Sequence, residues 1–256
     1  MKAFRLLVDP PGAGDWNMAV DEVLWQGSAA TGRCCWRFYR WEEATLSLGY
    51  FQSYDDRAHH AASLSCPVVR RASGGGAIVH DQELTYSLAI PATHPLARRR
   101  SPLYRAVHTT LIEALAELGI VASLHAEPED PRPAEQPFLC FQRRAPGDVM
   151  VGGTKIAGSA QRRSRGAVLQ HGSVLLRRSH AAPELEGLDS FAPAPVREER
   201  LIEVWLENLS RRLGMSWAQD PLHDQERQEA QRLVQAKYGS SAWTEGRGRV
   251  GNSPLL

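Results

Sequence analysis

The chain has no long hydrophobic run. Nothing in its 256 residues approaches the roughly 18 consecutive apolar residues that a membrane-spanning helix needs. The N-terminal stretch carries Lys2 and Arg5 but no apolar segment of signal-peptide length. Neither a membrane partner nor secretion is expected. Cysteine is scarce. The four present are Cys34, Cys35, Cys66 and Cys140, none in a Cys-x-x-Cys pair and none with a histidine at zinc spacing. Adjacent Cys34 and Cys35 are poor partners for each other, so free thiols in a reducing cytoplasm, with no metal, are the simplest reading. An excess of one charge is missing too. Lys and Arg number 30 against 29 Asp and Glu, a net charge of +1. That leaves no global field to capture DNA, RNA or an anionic membrane, although a local basic patch can still meet an acidic protein. Internal repeats and low-complexity tracts are absent.

What is there is an ordinary globular balance, 43% hydrophobic and 23% charged, long enough to bury a substantial core. Periodicity predicts a helix over 17–29, where Ala19, Val20, Val23 and Leu24 form an apolar stripe. It predicts short strands over 36–39, 45–50, 68–71, 77–79 and 84–90. A clearer helix is expected over 102–118, with Ser101 as N-cap, Pro102 in the first helical position and Gly119 just past the end. A strand over 120–124 follows, then a Pro- and acid-rich loop over 127–137. Strands are expected over 149–151, 155–161 and 167–176, a connector over 177–198, and two terminal helices over 199–213 and 222–238. Strands mostly follow one another instead of alternating with helices, which argues against a Rossmann fold. The fold class is α/β (α+β), with residues 1–240 as one domain and 241–256 as a flexible, Gly- and Ser-rich tail.

Three segments carry the chemistry. In Arg70-Arg71-Ala72-Ser73-Gly74-Gly75-Gly76-Ala77-Ile78-Val79-His80-Asp81, three successive glycines are conformationally costly. They make sense where the backbone turns sharply or lies against a ligand. The arginines before them suit a carboxylate or phosphate. Alone, the segment fits a plain hairpin with solvated arginines equally well. It is neither a Walker loop nor a dinucleotide fingerprint. In Gly152-Gly153-Thr154-Lys155-Ile156-Ala157-Gly158-Ser159-Ala160-Gln161, a lysine sits in an apolar strand, where a buried ammonium needs a partner. An edge lysine that blunts a sheet is the bland alternative. In Gln170-His171-Gly172-Ser173-Val174-Leu175-Leu176, His171 is a candidate hydrogen-bonder to a ligand or an ordinary structural histidine.

Taken in this order, the three segments resemble the biotin/lipoate protein ligase catalytic-domain family, in its lipoate–protein ligase and octanoyltransferase branch. The opening helix around Asn17-Met18-Ala19-Val20-Asp21-Glu22 and the stretches 37–41 and 45–52 look like the same family. The resemblance covers roughly residues 4–240. It implies a mixed, largely antiparallel sheet flanked by helices. Along a narrow acyl tunnel it places Arg70, Ser73, Gly74, Gly75, Gly76 and His80, with Lys155, Gly158, Ser159, Ala160, His171 and Gly172 opposite.

The family runs two chemistries. Its ligases activate a free acid with ATP and Mg2+ through an acyl-adenylate. Its octanoyltransferases take octanoate from acyl carrier protein through a cysteine thioester and need no cofactor. In one transferase group the nucleophile stands in a Cys-Phe pair shortly before the Gly-x-Lys strand. Cys140-Phe141 holds that place here, 15 positions before Lys155. By resemblance Cys140 is the nucleophile, and Lys155 is the cation that favours its thiolate, holds the carbonyl oxygen or moves a proton. The substrate is an octanoyl or lipoyl group, and the acceptor is a lysine on a lipoyl domain or a glycine-cleavage H-type protein. Three alternatives stay open. Gly74-Gly75-Gly76 and Asp148 look more like the ATP-dependent ligases, an amidotransferase moving octanoyl from one lipoyl-type domain to another would use the same cysteine, and a non-catalytic acyl-carrier binding module would share the fold. Arg98, Arg99 and Arg100, with Arg162, Arg163 and Arg165, are candidate contacts to an acidic partner.

Overall fold

Two nine-residue strands, β6 (Glu83–Pro91) and β10 (Ala167–Leu175), pair antiparallel along their whole length at the centre of the protein. Their sequences alternate. Leu84, Tyr86, Leu88 and Ile90 join one core cluster, while Ala89 joins the other and Ser87 bonds to a helix on that second side. This is the period of two expected of a strand buried on both faces. The structure, a computed structural model, describes residues 3–97, 100–127, 136–164 and 166–246. The basic contacts expected at Arg98, Arg99 and Arg165, most of the acidic loop expected over 127–137, and the end of the tail lie outside the described residues.

Around the central pair an eight-stranded sheet is built. On one side are β2 (Cys35–Tyr39), β1 (Phe4–Val8) and β11 (Trp217–Gln219). On the other are β9 (Thr154–Ser164), β8 (Val149–Val151) and β7 (Ala122–Leu124). Pairing is antiparallel except where β1 joins β2 and β11, so the sheet is mixed and largely antiparallel as expected. A small second sheet places β3 (Thr45–Leu48) between β4 (Val68–Arg70) and β5 (Ile78–His80).

Helices cover both faces of the large sheet. Against one face, α2 (Arg100–Glu117) packs with α3 (Glu198–Leu213) through Leu103, Val107, Leu111 and Leu115 with Leu201, Val204, Trp205 and Leu209. Trp36 stacks on Tyr86 at 5.3 Å and Trp205 meets Tyr86 edge-on at 5.0 Å. Each such large side chain contributes about 1.5–3 kcal/mol by its burial. Against the other face, α1 (Gly14–Thr31) and α4 (Asp224–Leu233) pack through Met18, Ala19, Val20, Val23 and Leu24 with Leu222, Ala230 and Leu233.

Boundaries differ from expectation for local reasons. α1 begins three residues early, at Gly14, where a Cβ would come within 2.9 Å of Thr45 and Val69, so only glycine fits. α2 starts at Arg100, which puts Ser101 inside the first turn instead of capping it. Its end is as expected. Gly119 is left-handed (φ +78), Gly119 N–H donates to Ala116 O at 3.0 Å and Ile120 N–H to Leu115 O at 2.9 Å. The second terminal helix ends as a π-turn, Val234–Tyr238. The tail expected to begin at residue 241 instead opens with a one-turn helix, α5 (Ser241–Thr244), packed on β4.

Candidate active site

The glycine loop between β4 and β5 is held from inside by Arg71. Its Nη2 donates to Gly74 O at 3.0 Å and Gly76 O at 2.6 Å, and its Nη1 to Ser47 O at 3.0 Å. Only Gly75 of the three glycines has a positive φ, +98°. Its carbonyl lies so close to Gly49 that a Cβ there would be 2.0 Å from it. Gly76 needs its hydrogen because the 138–140 backbone passes over it, within 3.1 Å of where a Cβ would stand. Ala77 then pairs with that passing segment. Ala77 N–H donates to Phe138 O at 3.1 Å, and Cys140 N–H donates to Ala77 O at 2.7 Å.

Cys140 opens a single 3-10 turn, Cys140–Gln142. Lys155, from the start of β9, reaches it. Its Nζ is 3.8 Å from Cys140 Sγ, 3.2 Å from Cys140 O and 2.8 Å from Asp148 Oδ2. The other Asp148 oxygen accepts from Tyr104 OH at 2.7 Å. Lys155 can curl back this way because Gly158 has no side chain: a Cβ there would sit 2.7 Å from Lys155 Cε. Burial pulls the ammonium pKa down, but the facing Cys140 sulfur and Asp148 carboxylate outweigh it and raise the value above the ordinary lysine range. The other thiols are unsuited to nucleophilic work. Burial lifts Cys34 and Cys35 to about 11 and raises Cys66 as well.

From Cys140 an apolar cleft runs over the sheet. Its floor includes one cross-strand row, Gly158, Ser173, Thr85 and Tyr39, in register across β9, β10, β6 and β2. Four strands at this spacing span about 14 Å. Ala160 and His171 form the next row, and Met18, Ile78 and Phe141 add apolar walls. Gly172 lets β9 and Tyr86 approach closely, since a Cβ there would lie 2.4 Å from Ser159 Oγ and 2.6 Å from Gly158 O.

Of the residues singled out from sequence, Gly74, Gly75, His80, Cys140, Gly158, Ser159, Ala160, His171 and Gly172 line this cleft. Lys155 and Gly76 adjoin it through Cys140. Ser73 adjoins it through His171, whose Nε2 is 2.5 Å from Ser73 Oγ and whose Nδ1 is 3.2 Å from Asp21 Oδ2. The Asp21 carboxyl stays below its usual range: burial opposes ionisation, but the His171 hydrogen bond and the Arg37 charge prevail. His80 is tied elsewhere, to Ser47 Oγ at 2.8 Å and Glu83 Oε1 at 3.0 Å, and burial keeps it neutral-leaning despite Glu83. Arg70 does not lie along the cleft. It donates to Gly49 O at 2.9 Å, Gln52 O at 2.7 Å and Thr244 O at 2.7 Å, because alternate residues at the end of a strand point to opposite sides. Arg71 takes the cleft wall instead, where burial lowers its pKa to about 10.

Asp148 and Tyr104 were not among the expected site residues. The signal for Asp148 was its place immediately before an apolar strand, where a buried carboxylate needs a cation. Tyr104 gave no signal, being one helix residue among many. His108 is a third such residue. Its Nε2 is 2.6 Å from Ser159 Oγ and its Nδ1 2.6 Å from Gly147 O, which fixes the cleft-lining Ser159 hydroxyl.

Comparison with known proteins identifies the family. The lipoyl protein ligase A/B catalytic domain family matches residues 14–194. The chain is 33% identical to the octanoyltransferase LipM of Kyrpidia tusciae, over 95% of this chain and 98% of that one. It is 34% identical to the octanoyltransferase LipM of Symbiobacterium thermophilum, over 94% and 97%. Among solved structures it superposes on Ta0514, a putative lipoate protein ligase from T. acidophilum, with a TM-score of 0.79 at 22% identity, covering 96% of this chain and all of that one. A lipoate-protein ligase A bound with ATP gives a TM-score of 0.77, also at 22% identity, over 97% of this chain and all of that one. At that identity the structural likeness speaks for the fold. With the family match over most of the chain and relatives aligned almost end to end, the protein belongs to the lipoyl protein ligase A/B catalytic-domain family.

Proposed function

We propose that this protein is an octanoyltransferase of protein lipoylation that works through a thioester on Cys140. The donor is an octanoyl thioester on acyl carrier protein. The acceptor is a lysine of a lipoyl domain or a glycine-cleavage H-type protein. The observation that carries this reading is the approach of Lys155 Nζ to Cys140 Sγ, 3.8 Å, at the mouth of an apolar cleft.

In the first step the Cys140 sulfur attacks the donor's carbonyl carbon. The new C–S bond forms as the carrier's C–S bond breaks, and the carrier thiolate leaves to take up a proton. One thioester replaces another, so the step is nearly balanced in free energy. In the second step a neutral lysine amine attacks the same carbonyl carbon. The amide C–N bond forms, the Cys140 thiolate leaves, and the amine loses its proton. The amide is the more stable product and drives the sequence.

Lys155 supports both steps as a cation. Its raised pKa keeps it protonated at neutral pH, which favours charge stabilisation of sulfur and developing oxyanion over a role as base. Asp148 holds the ammonium in place. The cleft takes the acyl chain, with about 0.8 kcal/mol gained per buried methylene before ordering costs.

The test is intact-mass analysis of the purified protein with octanoyl-loaded acyl carrier protein and no ATP, beside a Cys140→Ala control. An octanoyl adduct on the unaltered protein alone, released by hydroxylamine, is the expected result. No adduct, with ATP-dependent pyrophosphate release from free octanoate or lipoate, would assign the protein to ligase chemistry.

A further inference from the structure

An acyl group on Cys140 fills the cleft, so the acceptor lysine arrives at its mouth from outside. The mouth is bordered by the glycine loop on one side and by residues 138–143 on the other. Both borders carry features that the fold itself does not use. Phe51 is 84% exposed, yet its ring lies against Gly74. It meets Tyr50 edge-on at 4.8 Å, and the Arg162 guanidinium covers the Tyr50 ring at 4.9 Å. Across the loop, the Arg143 guanidinium packs against Gly76 and lines a groove with Gln52, His59 and Phe138.

Among the described residues Arg143 and Arg162 have no acidic partner. Arg143 donates to Pro137 O and Gln136 Oε1, and Arg162 reaches Ala72 O at 3.5 Å. Several surface arginines elsewhere are paired, as Arg177 with Asp189, Arg200 with Glu203 and Arg212 with Glu113, while Arg144 donates to Gly153 O and Arg57 lies over the Tyr54 ring. Asp56 is the acid that shares the Arg143 groove, and its Oδ2 accepts from Ser53 N–H. A target lysine is itself a cation. It approaches a mouth where Asp148 offsets Lys155 but Arg71, Arg143 and Arg162 add positive charge, so acidic groups that travel with it favour the approach.

We propose that Phe51, Arg143 and Arg162 form the docking face for the acceptor, a carrier domain whose target lysine is bracketed by acidic side chains. The acids pair with the two arginines, and Phe51 supplies the apolar anchor beside them. This rests on the transferase reading above for the acceptor's identity but adds the surface and its charge logic.

The experiment titrates a recombinant lipoyl-type domain with two acidic residues beside its lysine into the full-length protein, followed by fluorescence anisotropy. The same domain with those acids changed to Gln serves as the second probe. Binding needs no chemistry, so a failure of cysteine acylation would leave this result readable. Arg143→Glu, Arg162→Glu and Phe51→Ala each weaken binding of the acidic domain, the charge reversals by about tenfold at low salt. Phe51→Ala changes an exposed side chain and guards against a folding artefact. Changing the domain's acids to Lys restores binding to the Arg143→Glu protein. Equal affinity for the acidic and Gln domains, or reversals with no effect, would overturn the proposal.

Discussion

The backbone N–H of Cys140 donates to the carbonyl of Ala77 at 2.7 Å. The thiol's position is therefore set by the glycine loop, 63 residues earlier in the chain. Gly76 and Ala77 act as the template onto which the 138–140 segment is laid. Gly49 in turn supports the loop from beneath.

Gly49→Ala tests that support. The new methyl would collide with the Gly75 carbonyl, a backbone atom that cannot swing aside. The expected outcome is a folded protein with a displaced loop, about 1–3 kcal/mol less stable. Acylation of Cys140 would fall far more than the urea midpoint. Unchanged acylation would show that the loop does not position the thiol.

The thiols differ in their readiness to react. Brief treatment with iodoacetamide at pH 7.5, followed by peptide mapping, should label Cys140 first. Cys34 and Cys35, with pKa values near 11, would be almost wholly protonated at that pH. Labelling of Cys34 ahead of Cys140 would count against the assignment.

Lys155 and Asp148 form a buried pair, and removing one charge strands the other. Lys155→Ala should therefore cost about 3–5 kcal/mol of stability as well as activity. The double variant Lys155→Met/Asp148→Asn removes both charges and should recover most of the stability. Its acyl transfer should stay down by about 100-fold or more, if the ammonium stabilises developing charge. Recovery of activity together with stability would reduce Lys155 to a structural role.

His108 gives a pH signature. Burial lowers its pKa from 6.5 to about 4, with the Gly147 carbonyl opposing only in part. Between those values the unfolded chain binds a proton that the folded chain does not. Stability is thus full above pH 6.5 and is lost as pH falls toward 4, by up to roughly 3 kcal/mol. Urea midpoints measured from pH 7 to pH 4.5 should drop less steeply in His108→Gln. Parallel curves for the two proteins would place the acid sensitivity elsewhere.

The sequence carried the central strands, the long helices and the three motif segments because each leaves a local mark. Alternation marks β6 and β10, i/i+4 spacing marks α2, and glycine marks the close approaches at 76, 158 and 172. Strands β1 and β11 went unread. Phe4–Val8 and Trp217–Gln219 are short, and β11 joins the sheet only through β1, a contact across more than two hundred residues that no local pattern records. Arg70 and Arg71 could not be told apart for a similar reason. Which of two neighbouring side chains faces the cleft depends on strand register. Lys155 stood out as a cation in an apolar strand, but its carboxylate partner and the tyrosine behind it come from separate elements.

The clamp on Arg70 has a consequence for the order in which the molecule can be made. Its guanidinium is buried against Trp243 O and Thr244 O, and the Trp243 indole returns a hydrogen bond to Arg70 O at 2.9 Å. The strand that launches the glycine loop is thus fastened by residues that leave the ribosome more than 170 positions later. Most of the large sheet can close during synthesis, while the strand that launches the glycine loop waits for residues 243 and 244. Closing so long a loop is slow relative to local pairing. A chain cut before residue 243 would keep most of the core and lack the clamp that fastens the strand leading into the glycine loop.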